Sequence, residues 1–151
     1  MYSHLEDYIY KLFKSIGITK PTDLEMKLIA KKLGVNITYD ENKLFRLDNE
    51  VSLKKGSKVQ EWIEFAHEVC HYLRHCGNQL NMHPLFRQLQ EYQAEYFAYH
   101  FCVPTFMLDR LFNYTIRDIM NIFNVDYDFA VRRLEIYRNR HMNQPVIWFN
   151  R

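Results

Sequence analysis

Glycine and proline are scarce in this chain of 151 residues, at four each, and cysteine is scarcer still, at three. A sandwich or propeller of many short strands needs frequent turns, so four glycines argue for a mainly helical chain. Cys70, Cys76 and Cys102 are odd in number and include no C-x-x-C pair, which excludes a disulfide framework and suits a reducing, cytoplasmic setting. The N-terminus MYSHLEDYIYK has no basic start leading into an apolar run, so no secretion leader is expected. No stretch approaches the roughly 18 apolar residues of a membrane span. A surplus of one charge is also missing. Twenty Lys and Arg face 18 Asp and Glu, a net charge of +2, which is no nucleic-acid signature over the whole chain. Apolar residues are plentiful at 48%, with 11 Phe, 11 Tyr and 2 Trp. That composition, at this length, describes one globular domain around one core and excludes a disordered tail.

Charge is unevenly distributed. Residues 64–109 hold five acidic residues (Glu64, Glu68, Glu91, Glu95, Asp109) and two basic ones, whereas residues 110–151 hold seven Arg against four acidic. An acidic middle suits a cation. The Arg-rich end suits an anionic partner or is ordinary surface variation.

Apolar periodicity predicts the elements. Leu5, Tyr8, Ile9, Leu12, Phe13 and Ile16 mark a helix stopped by Gly17. Thr22 and Glu25, just after Pro21, read as a capping box for a second helix that ends at Gly34. Val35–Tyr39, Leu44–Leu47 and Val51–Leu53 are strand candidates, expected to form a small antiparallel sheet. Helical patterns follow over Lys58–His75, Leu85–Phe101, Phe106–Phe112, Thr115–Phe123 and Asp126–Tyr137. Val146–Phe149 reads as a last strand.

The segment His67-Glu68-Val69-Cys70-His71 fits H-E-x-x-H inside a predicted helix. Residues four apart share a helix face, so two imidazoles can reach one metal ion while the adjacent Glu reaches a water on it. A zinc hydrolase usually takes three protein ligands and leaves one position for water. A third histidine six residues on, preceded by glycine, is one known solution, but Arg74 and Gly77 occupy those places. The alternative is a carboxylate from the next helix. Glu91 and Glu95, one turn apart on the predicted helix after a polar loop, both qualify. Glu95 is either the ligand or a second carboxylate that orients one.

HEVCHYLRH followed by EYQAEYFAYHFCVP resembles the ImmA/IrrE family of metallo-endopeptidases, found in phages and integrative elements. The family pattern H-E-x-x-H-x-x-x-H, then E-x-[EQ]-A-x-x-F-A and a later Pro, is met by His67, Glu68, His71 and His75, then Glu91, Gln93, Ala94, Phe97, Ala98 and Pro104. The resemblance covers about residues 22–137. Departures are Glu95, where many members carry Asn or a small residue, and Cys70, where Gly or Ala is common. The resemblance implies Glu91 as third metal ligand with His67 and His71, one Zn²⁺ per chain, and Glu68 as the catalytic proton carrier. It also implies an α+β, zincin-like fold: an N-terminal helix (1–21), a metal-binding core (22–104) and a C-terminal helical part (105–151). The implied activity is cleavage of a helix-turn-helix repressor, which would derepress the element. The competing reading is a DNA- or protein-binding regulator on the same fold without proteolysis.

Other residues carry simpler readings. His75 suits a helix end and sits too far around the helix from His67 to be a fourth ligand. Cys76 and Cys102 read as buried thiols, and Tyr92, Tyr96 and Tyr99 as helix packing. Tyr72, Tyr99, His100 and His141 are candidate donors to an oxyanion. Thr115–Tyr137 resembles a helix-turn-helix. Arg132 and Arg133 then either contact nucleic acid or belong to a hairpin that covers the core or holds substrate.

Overall fold

The computed structural model describes residues 2–39, 49–74 and 83–141. Helix α1 (His4–Ser15) is followed by a 3₁₀ turn (Pro21–Asp23), α2 (Met26–Leu33), β1 (Asn36–Thr38) and β2 (Glu50–Ser52). Then come α3 (Lys58–Arg74), α4 (Pro84–Cys102), α5 (Thr105–Leu108), α6 (Ile116–Phe123) and α7 (Tyr127–His141). The class is α+β and mostly helical. The expected strand at Leu44–Leu47, the expected C-terminal strand, His75 and Cys76 lie outside the described residues. No helix among the described residues is long and apolar enough to cross a membrane.

Two expectations are corrected. The sheet is parallel, with Asn36 opposite Glu50, Ile37 opposite Val51 and Thr38 opposite Ser52. An antiparallel pair needs only a tight turn between strands; β1 and β2 are separated in sequence by residues 39–49, more than such a turn, so a parallel pairing is open to them. The Thr22–Glu25 capping box does not form. Pro21–Asp23 winds instead into a 3₁₀ turn, whose Asp23 carboxylate accepts the Thr19 and Lys20 N–H groups. Glu25 then caps α2 itself, accepting from the Lys27 and Leu28 N–H groups, and Gly34 ends that helix at φ +74°, in the left-handed region that glycine enters without cost.

The core lies between α3 and α4. Trp62, Phe65, Ala66, Val69 and Cys70 of α3 are buried, as are Ala94, Phe97, Ala98, Phe101 and Cys102 of α4. The alanines let the helix axes approach. Aromatic rings fill the ends: Phe101 packs on Trp62 at 5.8 Å, Phe65 at 6.2 Å, Phe97 at 5.5 Å and Phe13 of α1 at 4.9 Å between centroids. The Trp62 indole also donates to the Phe123 carbonyl at 3.1 Å, which ties the end of α6 to α3. Burial holds the Cys70 thiol up at about 12 and raises that of Cys102 well above the usual range, as befits packed, unreactive cysteines.

A second buried seam is polar. Glu6 of α1 is 3% exposed. Its carboxylate accepts from the Thr105 hydroxyl at 2.5 Å and from the Ser3 N–H at 2.9 Å, and it pairs with His141 at 2.5 Å. Arg133, fully buried, donates to the Val103 carbonyl and the Thr105 hydroxyl, each at 2.9 Å. Burial alone would raise the Glu6 carboxyl, but these hydrogen bonds outweigh it and hold it at about 2. Burial, with the Arg133 charge adding to it, holds His100 at about 4. Both groups bind protons more readily in the unfolded chain, so stability rises with pH. The Glu6 share is complete above about pH 4.5 and lost as pH falls toward 2. The His100 share is complete above about pH 6.5 and lost as pH falls toward 4. Each is worth a few kcal/mol. Urea unfolding followed by circular dichroism between pH 7 and 3, with chelator present, should therefore show a steady loss of stability. Glu6→Gln should flatten the part below pH 4.5. An unchanged slope in that variant would refute the assignment.

Candidate metal centre

The H-E-x-x-H helix is α3. Its buried stripe runs through Ala66 and Cys70, so the next residues, His67 and His71, fall at the stripe's edge, where their rings are only partly covered. Their side chains are 25% and 18% exposed. Glu91 projects from the facing helix, three residues before buried Ala94 and so on the same side of α4. Pro84 supplies the first turn of α4, and the His83 ring caps it by accepting the Leu85 N–H.

The three side chains converge. Glu91 Oε2 lies 2.8 Å from His67 Nε2, Glu91 Oε1 lies 3.0 Å from His71 Nε2, and the two imidazole nitrogens are 3.3 Å apart. One ligand atom from each lies within 4.8 Å of the others. Ligands about 2.0–2.1 Å from a tetrahedral zinc ion stand roughly 3.4 Å apart. The donor triangle has nearly that size, and its chemistry, two imidazoles and a carboxylate, is that of a zinc site with one open position. The residues present fit the ion.

Glu68 follows His67 on α3 and is half-buried. Glu95 is exposed and lines, with His67, a cleft of about 360 Å³. Tyr99, one of the candidate oxyanion donors, also lines this cleft, with its ring packed 4.5 Å from that of Phe129. Tyr72 is half-buried on α3. Two other candidates are corrected. His100 is 2% exposed with Nδ1 on the Tyr96 carbonyl, and His141 is committed to Glu6. Both belong to the polar seam.

The C-terminal reading also changes. Thr115 caps α6 in a box with Asp118, and Asn124 turns the chain at φ 56° before α7, so a helix–turn–helix path is present. Arg133 is nevertheless not available to nucleic acid, because its guanidinium is buried among α5 and the α4–α5 corner. Only Arg132 is outward, pairing with Glu135 at 3.3 Å. The tyrosine run divides: Tyr96 stacks between Tyr92 and His100, whereas Tyr92 itself is 62% exposed. The cleft residues beyond His67, Glu95 and Tyr99 escaped the sequence reading. The signal was a polar stripe at Gln60, Glu64, His67 and His71, spaced four, three and four, beside the apolar stripe of α3.

Comparison with known proteins adds a family. Residues 30–135 match the peptidase M78 family, described as the IrrE N-terminal-like domain. The chain is 38% identical over 148 residues to the phage-like element PBSX protein XkdA of Bacillus subtilis, covering 91% of this chain and 75% of that protein. It is 34% identical over 145 residues to the YqaB protein of the same organism, covering 89% and 84%. No solved structure matches significantly.

Proposed function

The chain belongs to the IrrE N-terminal-like peptidase family, and on that premise we propose that it is a zinc-dependent endopeptidase that cleaves the helix-turn-helix repressor of a phage or integrative element. The observation that carries the reading is the convergence of His67, His71 and Glu91 beside Glu68. A family of peptidases supports the reaction class. The phage-like element named in a relative at 38% identity supports the mobile-element setting.

His67, His71 and Glu91 would hold a zinc ion, which when bound would supply an acidified water and a Lewis acid for the scissile carbonyl. The chain's own residues do the rest. The two imidazoles of α3 and the Glu91 carboxylate of α4 would hold one ion between them. Glu68, held rigidly on α3 next to a ligand, takes a proton from the attacking water and returns it to the departing amine. The zincin-like description of the fold belongs to the same proposal.

Two measurements test it. Purified protein dialysed against metal-free buffer should keep about one zinc per chain, and Glu91→Ala should lose most of it. The zinc-loaded protein, mixed with a helix-turn-helix repressor encoded beside its gene, should cut it into two fragments. A chelator should stop the reaction and added zinc restore it. Zinc bound with the repressor left intact would favour a regulator whose metal is structural; no zinc taken up at all would remove the proposed chemistry.

A further inference from the structure

The cleft beside His67 has a sharply divided lining. Its lining includes apolar Ile63, Ala98 and Phe129, the last two buried and forming its floor, and three carboxylates, Glu64 of α3, Glu95 of α4 and Asp126 of the α6–α7 turn, of which Glu95 and Asp126 are exposed at its rim. Among the lining residues the only basic-capable side chain is His67, a metal-ligand candidate. The Glu64 carboxylate accepts the Lys54 N–H at 3.2 Å and Asp126 accepts the Phe129 N–H at 2.8 Å. Two of the three charges are thus held in place by backbone donors that do not neutralise them, and Glu95 is exposed. A second, neighbouring hollow of about 490 Å³ shares Gln60 and Asp126 as walls and is also lined by Asn121 and Asn124 at the α6–α7 turn.

We propose that this groove is the substrate channel and that it seats an extended polypeptide with a Lys or Arg side chain next to the bond that is cut. The inference rests on the peptidase reading and adds the substrate's local chemistry. A lysine or arginine has an apolar stem that would cover Ile63, Ala98 and Phe129 and a charged head that would reach the rim. An acidic side chain would meet three like charges. A leucine would fill the floor but bring no positive charge to the three carboxylates. The volume beside His67 holds one long side chain, and the second hollow along Gln60 and Asp126 gives the neighbouring residues a path. On this reading the helix-turn-helix-like hairpin is a wall of the protease groove, with the turn facing substrate, and Glu95 and Asp126 set specificity.

The test profiles cleavage of a library of N-acetylated octapeptides, degenerate at every position, by the zinc-loaded full chain, with the cut sites read by mass spectrometry. Lys and Arg should be enriched on the order of tenfold at one fixed position beside the scissile bond, the worth of a charge-assisted contact. The double substitution Glu95→Gln with Asp126→Asn, in which Asn retains the helix cap, should reduce that enrichment to nearly none while zinc content stays the same. Glu95→Lys is an independent variant at an exposed position and should shift the preference toward Asp and Glu. Cleavage without basic enrichment, or enrichment unchanged in both variants, overturns the inference and leaves the peptidase reading standing. No cleavage of any library member by protein that cuts the repressor overturns the inference alone; no cleavage of either substrate overturns both.

Discussion

Replacing Glu68 by Gln is expected to abolish turnover while leaving the zinc in place. The amide matches the carboxylate in shape and keeps α3 intact, but it cannot accept and return a proton. Loss of a positioned general base costs about 10²–10⁴ in rate. Metal content should be unchanged, because the proposed ligands are His67, His71 and Glu91, whose donor atoms lie within 4.8 Å of one another without Glu68. The comparison with His71→Ala gives the result its meaning. That variant removes a ligand, so metal and turnover should fall together. The measurement is kcat on the cleaved polypeptide beside zinc per chain by elemental analysis. A Glu68→Gln protein with full activity would show that another group carries the proton, and one without zinc would place Glu68 in the metal's own shell.

The second large effect concerns stability. Arg133→Ala should cost about 3–5 kcal/mol, the usual result of removing one partner from a buried charged network. For a chain of this length that lowers Tm by on the order of 10 °C. The loss has identifiable parts. The Val103 carbonyl and the Thr105 hydroxyl each lose a donor, a cavity the size of a guanidinium opens, and Glu6 keeps its negative charge at 3% exposure with less positive charge near it. Arg132→Ala, one residue earlier, should change stability by at most about 1 kcal/mol, since its pair with Glu135 is a solvent-exposed contact. Thermal unfolding of the two variants side by side checks the contrast. Equal and small losses would mean that the seam joining α1, α5 and α7 contributes little. The same pair bears on nucleic acid: a buried Arg133 offers no phosphate contact, so only Arg132 remains of the two.

The candidate centre was readable in the sequence because its chemistry is local. His67, Glu68 and His71 lie within five residues, and helical periodicity alone places the two imidazoles on one face. The helices themselves were readable for a similar reason, since stripes such as Trp62, Phe65, Ala66, Val69 and Cys70 repeat at the helical period. Residue spacing kept both Glu91 and Glu95 as possible third ligands. The packing of α3 on α4 brings Glu91 to 2.8 and 3.0 Å from the histidines and leaves Glu95 on the cleft wall. Strand direction was not legible, because alternation fixes which face of a strand is buried and says nothing about the path between strands.

The sequence by itself determined a helical core, a two-histidine motif on one helix face and a resemblance to a family of metallo-endopeptidases. Tertiary structure decided what depends on residues far apart in the chain. Glu6 meets Thr105 across 99 positions and His141 across 135. Arg132 and Arg133, adjacent and chemically identical, end one in solvent and one in the core, because consecutive helical residues point about 100° apart and only one of those directions faces α5. A local pattern carries no information about which element packs on it, and the closing of α1, α5 and α7 on one another supplies that.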